Sequence, residues 1–122
     1  MKEPASALVR AGLQVPSEVP MLATIRVFLG AFLAGYADDE AIEDLQLAVG
    51  EACSMMLPDG VTVELEIDDV RCHIACEGVE PPGDDEAGTI RARVFEALVP
   101  DAAWAGGSVR FSLPRASGAV ST

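Results

Sequence analysis

Glu51 is the one charged side chain in "LQLAVGEACSMML", residues 45–57, and Met55 follows it four positions on. On a helix that spacing is one turn along the same face. A carboxylate so placed can orient water or accept a proton when a polar or cation-binding side chain sits beside it. A thioether does not complete such a site, because a hard cation takes oxygen ligands and methionine sulfur is a poor one. The pair reads as half of a chemical site.

Cys72, His73 and Cys76 form a second grouping of potential ligands. Tetrahedral zinc would need them to converge, but on a strand Cys72 and Cys76 share one face and His73 points to the other. Buried thiols and a half-exposed imidazole are expected instead. Cys53 has no evident base beside it, and a single histidine assigns no Ser-His-Asp set. Arg91 and Arg93 read as balancing the acids of "GDDEAG", and Trp104 as a core residue in preference to a docking anchor.

The elements that must position these residues follow from periodicity. "ALVRAGLQV" alternates, with Ala7, Val9, Ala11, Leu13 and Val15 on one face, and predicts a half-buried strand. Ser17 is the expected N-cap of a helix running to about Ala34, with Gly35 ending it in the left-handed conformation. A second helix spans "ADDEAIEDLQLAVGEACSMML", opened by Asp38 or Asp39 and stopped by Pro58. "VTVELEI" and "VRCHIAC" are strands joined at Asp68 and Asp69. A loop, "EGVEPPGDDEAG", leads to a helix in "TIRARVFEALV" and a last strand in "SVRFSL". The core is expected over about 7–113, with the tail from Pro114 frayed. This order predicts one α/β-sandwich (α+β) domain, with helices on one face of a mostly antiparallel sheet.

Eight Lys+Arg against twenty Asp+Glu give a net charge of −12 in 122 residues. Such a surface repels a phosphate backbone, so binding to nucleic acid as the main activity is excluded. The start "MKEPASALVR" lacks the apolar run of a signal peptide, and no stretch approaches a membrane span. With three unpatterned cysteines the expectation is a cytoplasmic protein with reduced thiols.

Helical phase then asks which faces are covered. In the second helix Ile42, Leu45, Val49, Ala52 and Met56 form the stripe expected to face the sheet. Glu51 lies opposite, among Leu47, Ala48 and Met55, so it either reaches past them to water or borders a cavity or partner. In the first helix Met21, Ile25, Phe28, Leu29 and Phe32 form the core stripe. Its other side carries Val19, Ala23, Val27, Gly30 and Ala34, with Arg26 near the seam. A free helix face normally bears charge, so this one either lies under another helix of the chain or docks a protein, a second copy or another partner; docking is the expectation, since few elements remain to cover it.

The run "VPSEVPMLATIRVFLGAFLAGY…DLQLAVGEAC" resembles the anti-sigma-factor serine kinases of the RsbW type, a branch of the GHKL, or Bergerat-fold, histidine-kinase-like ATPases. The similarity extends over about Leu8 to Leu113 and is specific between Val15 and Cys53. It implies the histidine-kinase-like fold. The family motif "AVxEAxxNA" matches Glu51 as the carboxylate that orients water or a hydroxyl. Its magnesium-holding Asn corresponds to Met55. The family's "DxGxG" Asp, which accepts from the adenine amino group, corresponds to Cys76, with Gly78 following. The phosphate-wrapping "GxGLG" turn is reduced to Gly88, and "GG" at Gly106 and Gly107 falls too late. The resemblance therefore implies a degenerate nucleotide site with Glu51 as a relic, and no expected cofactor. ATP and magnesium would enter only if the chain were an active kinase with unorthodox ligands.

The same resemblance implies a partner-binding role, since the family's first-helix Arg, matched by Arg26, contacts a sigma factor and its antagonist. Partners expected on this basis are a sigma factor or an anti-anti-sigma antagonist, and a second copy in a homodimer. Partner-binding residues are then Arg26, Val19, Ala23, Val27 and Gly30. A different class, an orphan dimerisation domain with no sigma partner, stays open.

Overall fold

The computed structural model describes residues 9–116 of the chain. The order is β1 (Val9–Val15), α1 (Met21–Leu33), α2 (Asp39–Cys53), β2 (Val61–Ile67), β3 (Arg71–Glu77), α3 (Glu86–Leu98), β4 (Ala103–Ala105) and β5 (Ser108–Pro114). The five strands make one antiparallel sheet in the order β1-β2-β3-β5-β4. This is an α+β fold. No described helix is long and apolar enough to cross a membrane.

Alternation in the strands sends one row inward: Val61, Val63, Leu65 and Ile67 from β2, Cys72, Ile74 and Cys76 from β3, Val109, Phe111 and Leu113 from β5. Against that face α1 buries Ile25, Leu29 and Leu33, and α2 buries Ile42, Leu45, Ala48, Val49, Ala52 and Cys53. Each fully buried Leu or Ile contributes roughly 1.5–3 kcal/mol relative to exposure, so this single core dominates stability.

Several boundaries differ from expectation. Ser17 caps nothing; turns through Glu18 and Val19 delay α1 to Met21, with Pro20 at its entrance at φ −58, which a helix accepts. Phe32 is not core; Leu33 takes the third buried position of α1 and leaves the Phe32 ring partly exposed. Ala48 is buried, not exposed beside Glu51. The second helix stops at Cys53, short of Pro58, because Met55 and Leu57 pair with a distant segment. α3 starts earlier than its apolar pattern, at Glu86, since the Asp85 carboxylate accepts the Gly88 N–H at 2.9 Å. β4 was not anticipated, being only three residues. Pro114 belongs to β5, and Arg115 and Ala116 bond to Val70 and Tyr36, so the chain is fixed through 116. The rest of the tail, with Ala7 and Leu8 at the other end, lies outside the described residues. Gly35 ends α1 at φ +85 as its sequence predicts.

Candidate functional site

Glu51 sits in the last turn of α2, and its neighbour is a cation. Arg91, projecting from α3, donates from Nε to Glu51 Oε2 at 3.2 Å and from Nη2 to the Glu51 carbonyl at 3.3 Å. The Arg91 side chain is 14% exposed and that of Glu51 37%. The last turn of α2 contains no basic residue of its own, so Arg91 brings positive charge to the negative end of that helix. Ser54 Oγ donates to the same carbonyl at 2.6 Å. The Arg91 guanidinium also lies 5.9 Å from the centre of the Phe95 ring, one turn along α3. The two hydrogen bonds and the ring contact hold Arg91 over Glu51.

Met55 lies beyond the end of α2, in a turn, and its side chain is largely exposed. It is therefore not one helical turn along the face of Glu51. Its carbonyl accepts the Glu80 N–H at 2.9 Å, and the Leu57 N–H donates to the Gly78 carbonyl at 2.8 Å. Met56 and Val79 form an antiparallel bridge between these bonds. The segment leaving α2 is thus joined by backbone pairing to the segment leaving β3. Gly78 has φ +96, and a Cβ there would fall 2.0 Å from the Gly60 carbonyl oxygen. Its N–H and that of Val79 both donate to the Gly107 carbonyl. Glycine is required at 78 by backbone crowding.

Cys76 is fully buried on the core face of β3, beside Cys53 of α2. A hydrogen bond to Cys53, then burial, pushes the Cys76 thiol well above its usual range. It stays protonated and points away from solvent. Gly88, the expected remnant of a phosphate loop, is also explained by packing: a Cβ there would lie 2.1 Å from the Gly83 carbonyl oxygen. Gly106, at φ +61, makes the β4–β5 turn.

The resemblance would put a magnesium–nucleotide against the end of α2 and the end of β3. The three positions it implies there hold a carboxylate bridged to arginine, an exposed thioether and a buried thiol, with the exposed carboxylates of Glu77 and Glu80 close by in sequence. A thioether and a protonated thiol do not suit a hard cation.

His73 faces away from the core, with Nε2 3.0 Å from Asp68 Oδ2, as alternation along β3 requires. Asp68 turns the β2–β3 hairpin by accepting the N–H groups of Val70 and Arg71 at 2.9 and 2.8 Å. Those two bonds, then His73, lower its pKa to about 2. Arg71 Nε donates to Ser112 Oγ across the sheet. This open face holds a shallow groove of about 650 Å³, whose lining includes Arg10, Glu64, Glu66, His73, Arg110 and Ser112. Arg10 and Glu66 pair there at 2.9 Å. The groove is remote from Glu51, on the other side of the sheet.

On α1 the expected docking residues are mostly free. Val19 and Val27 are 74% and 69% exposed, and Ala23, Arg26 and Ala34 are exposed with them. Gly30 is the correction. It faces α2, where a Cβ would meet Gln46 Nε2 at 3.0 Å, and Gln46 itself donates to the Arg26 carbonyl at 2.9 Å. The small residue serves the packing of α1 on α2. Trp104 packs edge-on against Phe95 at 5.3 Å between ring centres, on the core side of β4.

The Arg91–Glu51 contact was missed from sequence, because the partners stand forty residues apart and helical phase cannot align two helices. No protein-family model matches this chain, and no curated protein matches it.

Proposed function

We propose that this chain is a regulatory protein-binding domain of the anti-sigma type, with a degenerate histidine-kinase-like fold, acting by sequestering a partner without nucleotide turnover. The observation that carries the reading is the closure between α2 and β3. Backbone bonds from Leu57 to Gly78 and from Glu80 to Met55 tie together the two segments between which the resemblance would put a nucleotide, and Arg91 engages the Glu51 carboxylate. Sequestration needs a surface and no turnover, and the apolar outer face of α1 with the turn before it supplies one: Val19 from the turn, Ala23 and Val27 from the helix, and Arg26 beside them. A protein of net charge −12 also complements the basic, DNA-binding surface of a sigma factor and competes with DNA for it.

Two measurements test this together. Calorimetry with Mg–ATP is expected to show no binding; a micromolar site, or phosphate transfer to an antagonist, would falsify the relic reading in favour of an active kinase. Tagged chain recovered from its native cells is expected to bring down a recurring sigma factor or antagonist. Recovery of the chain with only itself would mean an orphan dimerisation domain.

A further inference from the structure

On the sheet face turned away from the helices, strand register lines the outward side chains up in rows. One row runs Gly12–Glu64–Ala75–Arg110–Ala103 straight across all five strands. In the row beside it the charges are already matched. Arg10 pairs with Glu66 at 2.9 Å and His73 with Asp68 at 3.0 Å, while Arg71 reaches Asp101 at 3.5 Å. In the Ala75 row Glu64 and Arg110 are both exposed, and neither has an ion-pair partner among the described residues. Both line the groove of about 650 Å³, as do Gly12 and Ala75; Glu77, one row further on, does not. Arg10 and Glu66 meet because their strands are neighbours, whereas Glu64 and Arg110 have β3 between them. Two strand spacings amount to about 9.5 Å. Side chains stand roughly perpendicular to a sheet, so the two charges start from that separation. Only the methyl group of Ala75 lies between them.

We propose that this gap binds a free, neutral α-amino acid, its carboxylate on Arg110, its ammonium on Glu64 and its side chain over Ala75. The length fits. An ammonium nitrogen and a carboxylate oxygen on one carbon lie ~3 Å apart. With a charge-assisted hydrogen bond of about 2.8 Å at either end, the assembly reaches from Glu64 to Arg110. A ligand with one charge leaves either Glu64 or Arg110 unmet. A longer zwitterion holds its charges farther apart than the gap admits. The neighbouring charges are already paired, so nothing remains to meet a charged ligand side chain. Ion pairs open to water contribute little, so the affinity is millimolar and suits an abundant solute. The site lies on the far side of the sheet from α1, so it goes beyond partner capture and does not depend on it.

The test is a titration of the full chain with L-alanine, followed through the amide resonances of Glu64, Ala75 and Arg110 in isotope-labelled protein. Saturable shifts at these amides are expected at millimolar ligand. Glu64→Gln and Arg110→Gln are each expected to weaken binding ~5-fold and to leave the rest of the spectrum in place, both side chains being exposed. Acetate and methylammonium, each with one of the two charges, are expected to give no saturable shift, and ε-aminocaproate a weaker one. Absence of saturable shifts with L-alanine overturns the proposal. So does binding that survives both substitutions, or acetate that binds as tightly as alanine, which would make Arg110 a simple anion contact.

Discussion

The two ends of the helical layer treat their surfaces in opposite ways. At the α2–α3 junction a carboxylate that could do chemistry is bridged by Arg91, and the chain beside it is joined by backbone hydrogen bonds. At α1 the chain leaves Val27 and Phe32 in water and places no acid on the helix. A chain of net charge −12 has ample means to cover an idle helix with carboxylates. The contrast teaches that this molecule has invested polar contacts in closing one region and left its apolar contacts open in the other.

The comparison breaks most severely at Gly78. Gly78→Ala forces a Cβ against the Gly60 carbonyl at a positive φ, and should cost upwards of ~3 kcal/mol in urea denaturation, enough to unfold much of the population. Val27→Asp attacks the open region instead. Because Val27 is largely exposed, the fold should persist by circular dichroism while affinity for the captured partner falls ~100-fold. Undiminished capture would place the partner elsewhere. Arg91→Leu removes the bridge to Glu51 and should cost about 1 kcal/mol, the pair being partly exposed and therefore screened. A loss several times larger would make this ion pair a main support of the junction.

The smallest effect concerns acid. Asp68 has a pKa of about 2 because the Val70 and Arg71 N–H groups and His73 favour its ionised form. A carboxylate lowered in the folded state stabilises above its unfolded pKa of about 3.9, and that contribution disappears as pH falls towards the folded value. Asp68→Asn should therefore flatten the stability profile between about pH 4 and 2 and leave it unchanged in shape near neutrality. An identical acid limb in both proteins would show that the hairpin bonds survive protonation.

Much of the scaffold was legible because strands and helices announce themselves by period. β2 and β3 follow their alternation closely, and His73 and Cys76 take opposite faces as a strand demands. Long-range pairing was not legible. Nothing local says that Met55 should leave the helix to meet Glu80, or that Arg91 should return to Glu51, since both depend on how segments pack. Phase errors had the same origin. Phe32 and Leu33 differ by only 100° on α1, and it is Leu33 that joins Ile25 and Leu29 in the core. Gly30 looked like part of a smooth outer face, yet it makes room for Gln46, a partner that periodicity within one helix cannot reveal. The glycines with nucleotide-like positions, Gly78 and Gly88, turned out to answer to backbone crowding.

The knot of main-chain bonds around Gly78 has a kinetic consequence. Segments 55–57, 78–80 and Gly107 come from three separate parts of the chain, and the amides of Leu57, Gly78, Val79 and Glu80 all donate from one of them to another. In deuterium these irregular stretches should exchange as one unit, at rates nearer those of the central strands than those of ordinary surface turns. Slow exchange would then mark residues that are neither helix nor strand.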